Sequence, residues 1–206
     1  MQVVPITPDK LVDEIVEEVL RRPGRVRLGV DGPPPTDPSG LAGRVAERLR
    51  GLGRAALAVA ADDFLRPASV RLEFGRRDPD EFLDSWLDES GLRREVLDPM
   101  ADGGSGRVLP RLWDATADRA YRVRYAELPG DGVVALGGGL LLGRGLPFDL
   151  TVHLRMGTAA LRRTLPAPDH WTLPAWDRYE EERNPAGDAD ILVLSDHPDR
   201  PALRTG

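Results

Sequence analysis

The sequence predicts an α/β three-layer sandwich on a mainly parallel sheet of about five strands, carrying a short lid. Three observations support that prediction. Residues 25–50 (RVRLGVDGPPPTDPSGLAGRVAERLR) pass from a short apolar strand at 26–30 through a turn opening at Gly32. They then enter a helix whose Leu41, Val45 and Leu49 recur every four residues. A second apolar run, 55–61, follows at the spacing of a strand–helix–strand unit, and strands joined by a crossover helix pair in parallel. Three further apolar runs, 133–142, 150–156 and 189–195, supply the rest of the sheet.

Each element has its own signal. Residues 11–22 (LVDEIVEEVLRR) set Leu11, Ile15 and Val19 on one face, with acids early and arginines late, and Pro23-Gly24 ends the helix. After the second strand, closed by Asp62-Asp63-Phe64, residues 66–80 are charged and irregular. PDEFLDSWLDESGLRREVLDPM then reads as helix with a break near Ser90-Gly91. The DGGSG of 102–106 is a loop, and 107–113 and 121–125 read as short strands that could form a hairpin. Beyond the glycine-ended strand VVALGGGLLL and the strand LTVHLRM, helices are expected at 159–163 and 176–183. The proline-rich LPAPDHWTLP joins them within a lid-like segment, 157–185. Residues 1–206 are expected to form a single domain without internal repeats.

Composition narrows the function. A net charge of -6 and a pI near 5.2 leave no basic excess to neutralise phosphates, so neither nucleic acid nor an anionic membrane is expected as a partner. There is no cysteine, which removes disulfides, thiol catalysis and cysteine-ligated metals. No charged-then-apolar leader opens the chain and no apolar run approaches ~18 residues, so a cytoplasmic protein is expected. Lys10 is the only lysine.

That count bears on the turn at Gly32. Strand, glycine turn and helix form the P-loop layout, G-x-x-x-x-G-K-[ST]. Gly32 fills its first position and Ser39 its last, but Asp37 replaces the second glycine and Pro38 the lysine. A P-loop holds phosphate on consecutive backbone N–H groups while its lysine reaches the β/γ bridge. Pro33, Pro34, Pro35 and Pro38 have no N–H to give. The Asp37 carboxylate, at ~4 Å and an effective dielectric near 20, would repel a phosphate charge by about 4 kcal/mol. A structural turn capped by Asp37 or Ser39 accounts for the stretch more readily than a rebuilt ligand loop does.

Several pieces in one order now resemble the uridine kinase and phosphoribulokinase family of P-loop kinases, in particular its short actinobacterial-type members. They are VRLGVDGPPPTDPSG, ADDFLRP, DPDEFLDSW with LRREVLDPM, VVALGGGLLL, and RYEEERNPAGDADILVLSDHP. The resemblance implies a parallel sheet flanked by helices, a mobile lid, and transfer of the γ-phosphoryl of ATP to a sugar hydroxyl. It implies that Asp62 takes the proton of the attacking hydroxyl and that Asp84 holds substrate hydroxyls. Asp63, Arg66, Trp86 and His170 fall in substrate-side segments, and Gly32, Ser39, Arg162 and Arg163 in the altered nucleotide side. The family's strand-end acid, which organises magnesium, is replaced by Gly137 or Gly138.

The residues also admit plainer roles. Asp62-Asp63 could cap a segment, Asp84 could lie on a solvated helix face, and His170-Trp171 could plug a proline-rich loop. His153 reads as a satisfied strand histidine, and no metal site is expected because His153, His170 and His197 lack ligand spacing. Three functions follow. The leading one is a kinase-like protein that binds a small hydroxylated molecule of nucleoside or sugar type, having lost or repurposed Mg-ATP transfer and needing no cofactor. The second is an active nucleoside kinase using Mg-ATP, with Arg162 and Arg163 in place of the lysine. The third is a structural or interaction protein. A homo-oligomer is compatible with all three.

Overall fold

The computed structural model describes residues 2–197 and 200–205. The strands are β1 (Gln2–Pro5), β2 (Val26–Asp31), β3 (Ala56–Ala60), β4 (Arg107–Val108), β5 (Trp113–Asp114), β6 (Arg119–Ala120), β7 (Ala126–Glu127), β8 (Val133–Gly138), β9 (Leu150–Arg155), β10 (Ile191–Leu194) and β11 (Ala202–Thr205). The helices are α1 (Pro8–Leu20), α2 (Pro38–Gly51), α3 (Ala68–Arg71), α4 (Pro79–Asp84), α5 (Glu89–Leu92), α6 (Thr158–Thr164), α7 (Leu173–Arg178) and α8 (Pro185–Asp188). A seven-stranded sheet in the order β1-β11-β10-β9-β2-β8-β3 forms the middle layer. Its five strands from β10 to β3 are parallel and coincide with the five apolar runs. β11 and β1 extend the sheet antiparallel at one edge. These two were not legible because they are four residues each and β1 is exposed along its whole length, so neither shows an apolar run.

The pleat sorts side chains to two faces. Val133 and Ala135 of β8 join Val26, Leu28 and Val30 of β2 under Ile15, Val45 and Leu49 of α1 and α2. Val134 and Leu136 point the other way, onto Phe64, Leu92, Val96 and Met100. A third cluster brings Leu161, Leu173, Trp176 and Tyr179 of the lid onto Leu83 and Leu140, so the lid packs down on the body.

Local chemistry sets the boundaries. α1 starts at Thr7, whose hydroxyl accepts from the Lys10 N–H, and has proline in its first turn. The helix break expected near Ser90-Gly91 lies earlier, between Asp84 and Glu89, because Asp88 caps α5 by accepting from the Gly91 N–H at 2.8 Å. The expected hairpin is two short antiparallel pairings, β4 with β7 and β5 with β6. Residues 121–125 carry no strand.

Candidate functional site

A cavity of about 820 Å³ opens over the carboxyl ends of β3 and β8, where α/β sheets present ligand sites. β3 ends in a 3-10 turn, Ala61–Phe64, that carries Asp62 and Asp63 into the cavity wall. The opposite wall is aromatic. Phe82 stands at the centre of a cluster with Trp86 (5.2 Å between rings), Trp171 (5.5 Å) and Trp176 (6.1 Å), and all four line the cavity. Phe82 is fixed by α4, whose cap Asp78 accepts from the Asp80 and Glu81 N–H groups. The Trp86 segment is tied to the aspartate turn by Arg66 N–H to the Trp86 carbonyl (2.8 Å) and Asp88 N–H to the Phe64 carbonyl (2.8 Å). Trp171 and Trp176 come from the lid.

The two adjacent aspartates are in different states. Asp63 holds Arg111 through two contacts, 2.9 and 3.0 Å, and Arg111 lies over the Tyr121 ring at 4.0 Å. Among the described residues no hydrogen bond or ion pair engages the Asp62 carboxylate. Asp62 is exposed at the cavity mouth, and the protein packed behind its carboxyl desolvates it in part. That burial, and then the charge of Asp63, hold the Asp62 carboxyl above the usual aspartate range. Two indole N–H groups of the aromatic wall, on Trp86 and Trp176, are buried without a partner among the described residues. Arg144 lines the floor, 3% exposed, with its guanidinium bonded to Glu89 and to the carbonyls of Leu140 and Leu83.

Asp84 and Arg66 lie elsewhere. Asp84 is exposed and faces Arg183 (3.1 Å) and Arg178 (3.7 Å), outside the cavity lining. Arg66 enters the site only through its backbone N–H, and its carbonyl accepts from Arg71. The His170 ring donates to the Leu165 carbonyl (3.0 Å) and joins lid to lid, off the lining. Arg162 and Arg163 are exposed and off the lining too.

The turn at Gly32 bonds its polar groups within itself and to the end of β8. The N–H of Gly32 donates to the Gly138 carbonyl (3.2 Å), that of Thr36 to Pro33 (2.9 Å), and that of Asp37 to Pro34 (3.0 Å). The Ser39 hydroxyl donates to the Gly137 carbonyl (3.0 Å). Asp37 is left-handed, φ 52°, and caps α2 by accepting from the Gly40 N–H (3.0 Å), with Arg44 3.5 Å from its carboxylate. Pro34 and Pro35 present their rings to the cavity. At Gly137 a Cβ would lie 2.6 Å from the Pro38 carbonyl oxygen, and at Gly138 2.3 Å from the Ala61 Cβ, so the strand end admits no acidic side chain.

Sequence reasoning passed over a buried charged network directly beneath this turn. Asp31, fully buried, accepts from the Leu141 N–H (2.8 Å), the His153 ring (2.7 Å) and the Tyr179 hydroxyl (3.0 Å). The far ring nitrogen of His153 donates to Glu180 (3.0 Å). Burial works against charge on His153, but its bonds to Asp31 and Glu180 prevail and raise its pKa to about 9. An acid as the last residue of an apolar strand was the available signal.

A parallel sheet whose central strand, β2, feeds a glycine turn and then α2, with a cavity over the strand ends and a lid across it, is the P-loop kinase-like fold. Solved structures show the same fold. The chain is similar to a protein described as a possible uridine kinase from Bacillus stearothermophilus, at 21% identity over 89% of this chain and 97% of that one, TM-score 0.71. It is similar to a candidate fructose transport system kinase from Silicibacter sp., at 21% identity over 89% and 95%, TM-score 0.62. D-glycerate 3-kinase from Cryptococcus neoformans follows at 16% identity over 86% and 80%, TM-score 0.51. No protein-family model and no curated protein matches the chain.

Proposed function

We propose that the protein binds a small hydroxylated molecule of nucleoside or sugar type in the aromatic cavity, and that conventional Mg-ATP phosphoryl transfer has been lost or repurposed. The observation that carries this reading is Asp62: an unpaired carboxylate, raised in pKa, facing a wall of Phe82, Trp86, Trp171 and Trp176. Such a group accepts a hydrogen bond from a ligand hydroxyl, and in a repurposed enzyme it takes that proton as general base. The aromatic faces give a planar base or a sugar ring its apolar contact.

The loop supports the second half of the proposal. Its prolines lack N–H groups, the N–H groups of Gly32, Thr36 and Asp37 are spent on the carbonyls of Gly138, Pro33 and Pro34, and the Asp37 carboxylate stands at the start of α2. The residues present do not fit a triphosphate with its magnesium.

Calorimetry tests both halves. A panel of nucleosides and sugars is expected to include a binder whose affinity falls at least tenfold in Asp62→Asn, while Mg-ATP gives no micromolar binding. Micromolar Mg-ATP binding overturns the loss of phosphoryl transfer. A panel without any binder, or a binder indifferent to Asp62→Asn, overturns the assignment of the cavity. A second reading, an active kinase with an unusual phosphate site, is favoured by the descriptions of the structural neighbours as kinases. It requires acceptor-stimulated ADP formation that Asp62→Asn abolishes.

A further inference from the structure

The cavity's charges are one-sided, and this bears on what sits in it. Four acids line it: Asp62, Asp63, Asp114 and Asp169. Asp63 is neutralised by Arg111. Asp114 accepts from the N–H groups of Thr116 (3.0 Å) and Ala117 (2.9 Å), which, with the Ala117 bond foremost, lower its pKa and keep it ionised. Asp62 and Asp169 have no side-chain partner among the described residues. Arg144, the one cation among the lining residues, is consumed by Glu89 and two carbonyls.

The aromatic wall adds to this bias. Ring faces carry negative electrostatic potential and attract cations, more so where water is excluded. Trp86 already shows the behaviour on this chain: the Arg71 guanidinium lies 5.1 Å from its ring centre. Asp62 and Asp169 are exposed at the cavity's edge, and the low-dielectric aromatic wall beside them strengthens their field on the side facing it. The indole N–H groups of Trp86 and Trp176, the latter residue 5% exposed, are buried without an acceptor among the described residues, so the wall holds unspent donors and no further cation. An anionic ligand would meet two uncompensated carboxylates and no available cation among the lining residues.

From these observations we infer that the cavity is built for a hydroxylated molecule bearing a protonated amine, in which the ammonium group lies between the aromatic faces and the Asp62 and Asp169 carboxylates. The inference rests on the proposed cavity function and narrows it to a charge class. It places phosphorylated sugars and nucleotides among the disfavoured ligands.

Matched probes test it by calorimetry on the full chain: glucose, glucosamine and glucose 6-phosphate, and uridine, 5′-amino-5′-deoxyuridine and uridine 5′-monophosphate. In at least one series the amine is expected to bind tenfold or more tightly than its neutral parent, and the phosphate more weakly than either. The amine preference should shrink at least threefold between 50 and 500 mM salt. Asp169→Asn and Asp62→Asn should each reduce it without abolishing binding of a neutral parent that binds. Equal affinity of amine and parent, or a tighter phosphate, overturns the inference while leaving the cavity assignment standing. Failure of all six probes to bind overturns both for these two frames. Circular dichroism matched to the parent protein keeps the variants interpretable.

Discussion

Asp62 can be replaced without disturbing the fold, because its carboxylate makes no hydrogen bond or ion pair among the described residues and is repelled by Asp63. Asp62→Asn removes that repulsion, so its melting temperature is expected to equal or exceed that of the parent, read by thermal denaturation. A ligand defect in that variant then reports on the site alone. Gly138 is the opposite case. Introducing an acid there by Gly138→Asp drives a Cβ to 2.3 Å from Ala61 and forces the strand end away from the turn that carries Asp62. Overpacking at a buried position costs about 1–3 kcal/mol, and burying an unpaired carboxylate adds to it, so chemical denaturation should show a loss at or above that range. A residue without a side chain at this strand end is therefore a packing requirement. The glycines at the strand end were legible in the sequence; the contact between Gly138 and Ala61 that requires one of them joins residues far apart in the chain and was not.

The Asp31–His153–Glu180 network joins three elements: the end of β2, the middle of β9 and the turn after α7. Its pH dependence follows from the direction of each shift. His153 is raised from 6.5 to about 9, so its contribution is complete below pH 6.5 and is lost as pH rises through 9. Glu180 is lowered, against the effect of burial, chiefly by its bond to His153; its contribution is present above the ordinary glutamate range and is lost in acid. Urea denaturation should show stability falling by about 3 kcal/mol between pH 6.5 and 10, and His153→Gln should flatten that slope. Tyr179→Phe removes a buried hydroxyl that donates to Asp31 and accepts from the Leu142 N–H, at an expected cost of about 1–3 kcal/mol. The strand histidine was legible as satisfied. Its partners were not, since Asp31 and Glu180 lie 122 and 27 residues away and meet it only through the sheet register Asp31↔His153 and the return of the lid.

At the scale of the molecule, the five parallel strands and the helices over them were legible because each buries an apolar run or stripe. The site was legible only in part. Asp62, Asp63 and Trp86 line the cavity, while Asp84, Arg66, His170, Arg162 and Arg163 lie off it. The difference arises in the lid and the 66–88 segment, where one-turn helices and prolines give no periodicity from which side-chain direction could be read. These short elements also predict uneven stability. Amides of β2 and β8, bonded on both sides in the centre of the sheet, should exchange with solvent only through global unfolding. Those of α6 and α7 should exchange through a smaller, local opening, measurable by hydrogen–deuterium exchange, and a bound ligand should slow them most.

The aromatic wall offers one practical advantage. Three of the four tryptophans, Trp86, Trp171 and Trp176, line the cavity, and only Trp113 lies away from it. The intrinsic fluorescence of the unlabelled chain is therefore dominated by the residues that touch an occupant. Any molecule that displaces water from the wall should shift the emission, so a compound collection can be read directly, before the chemistry of the occupant is known.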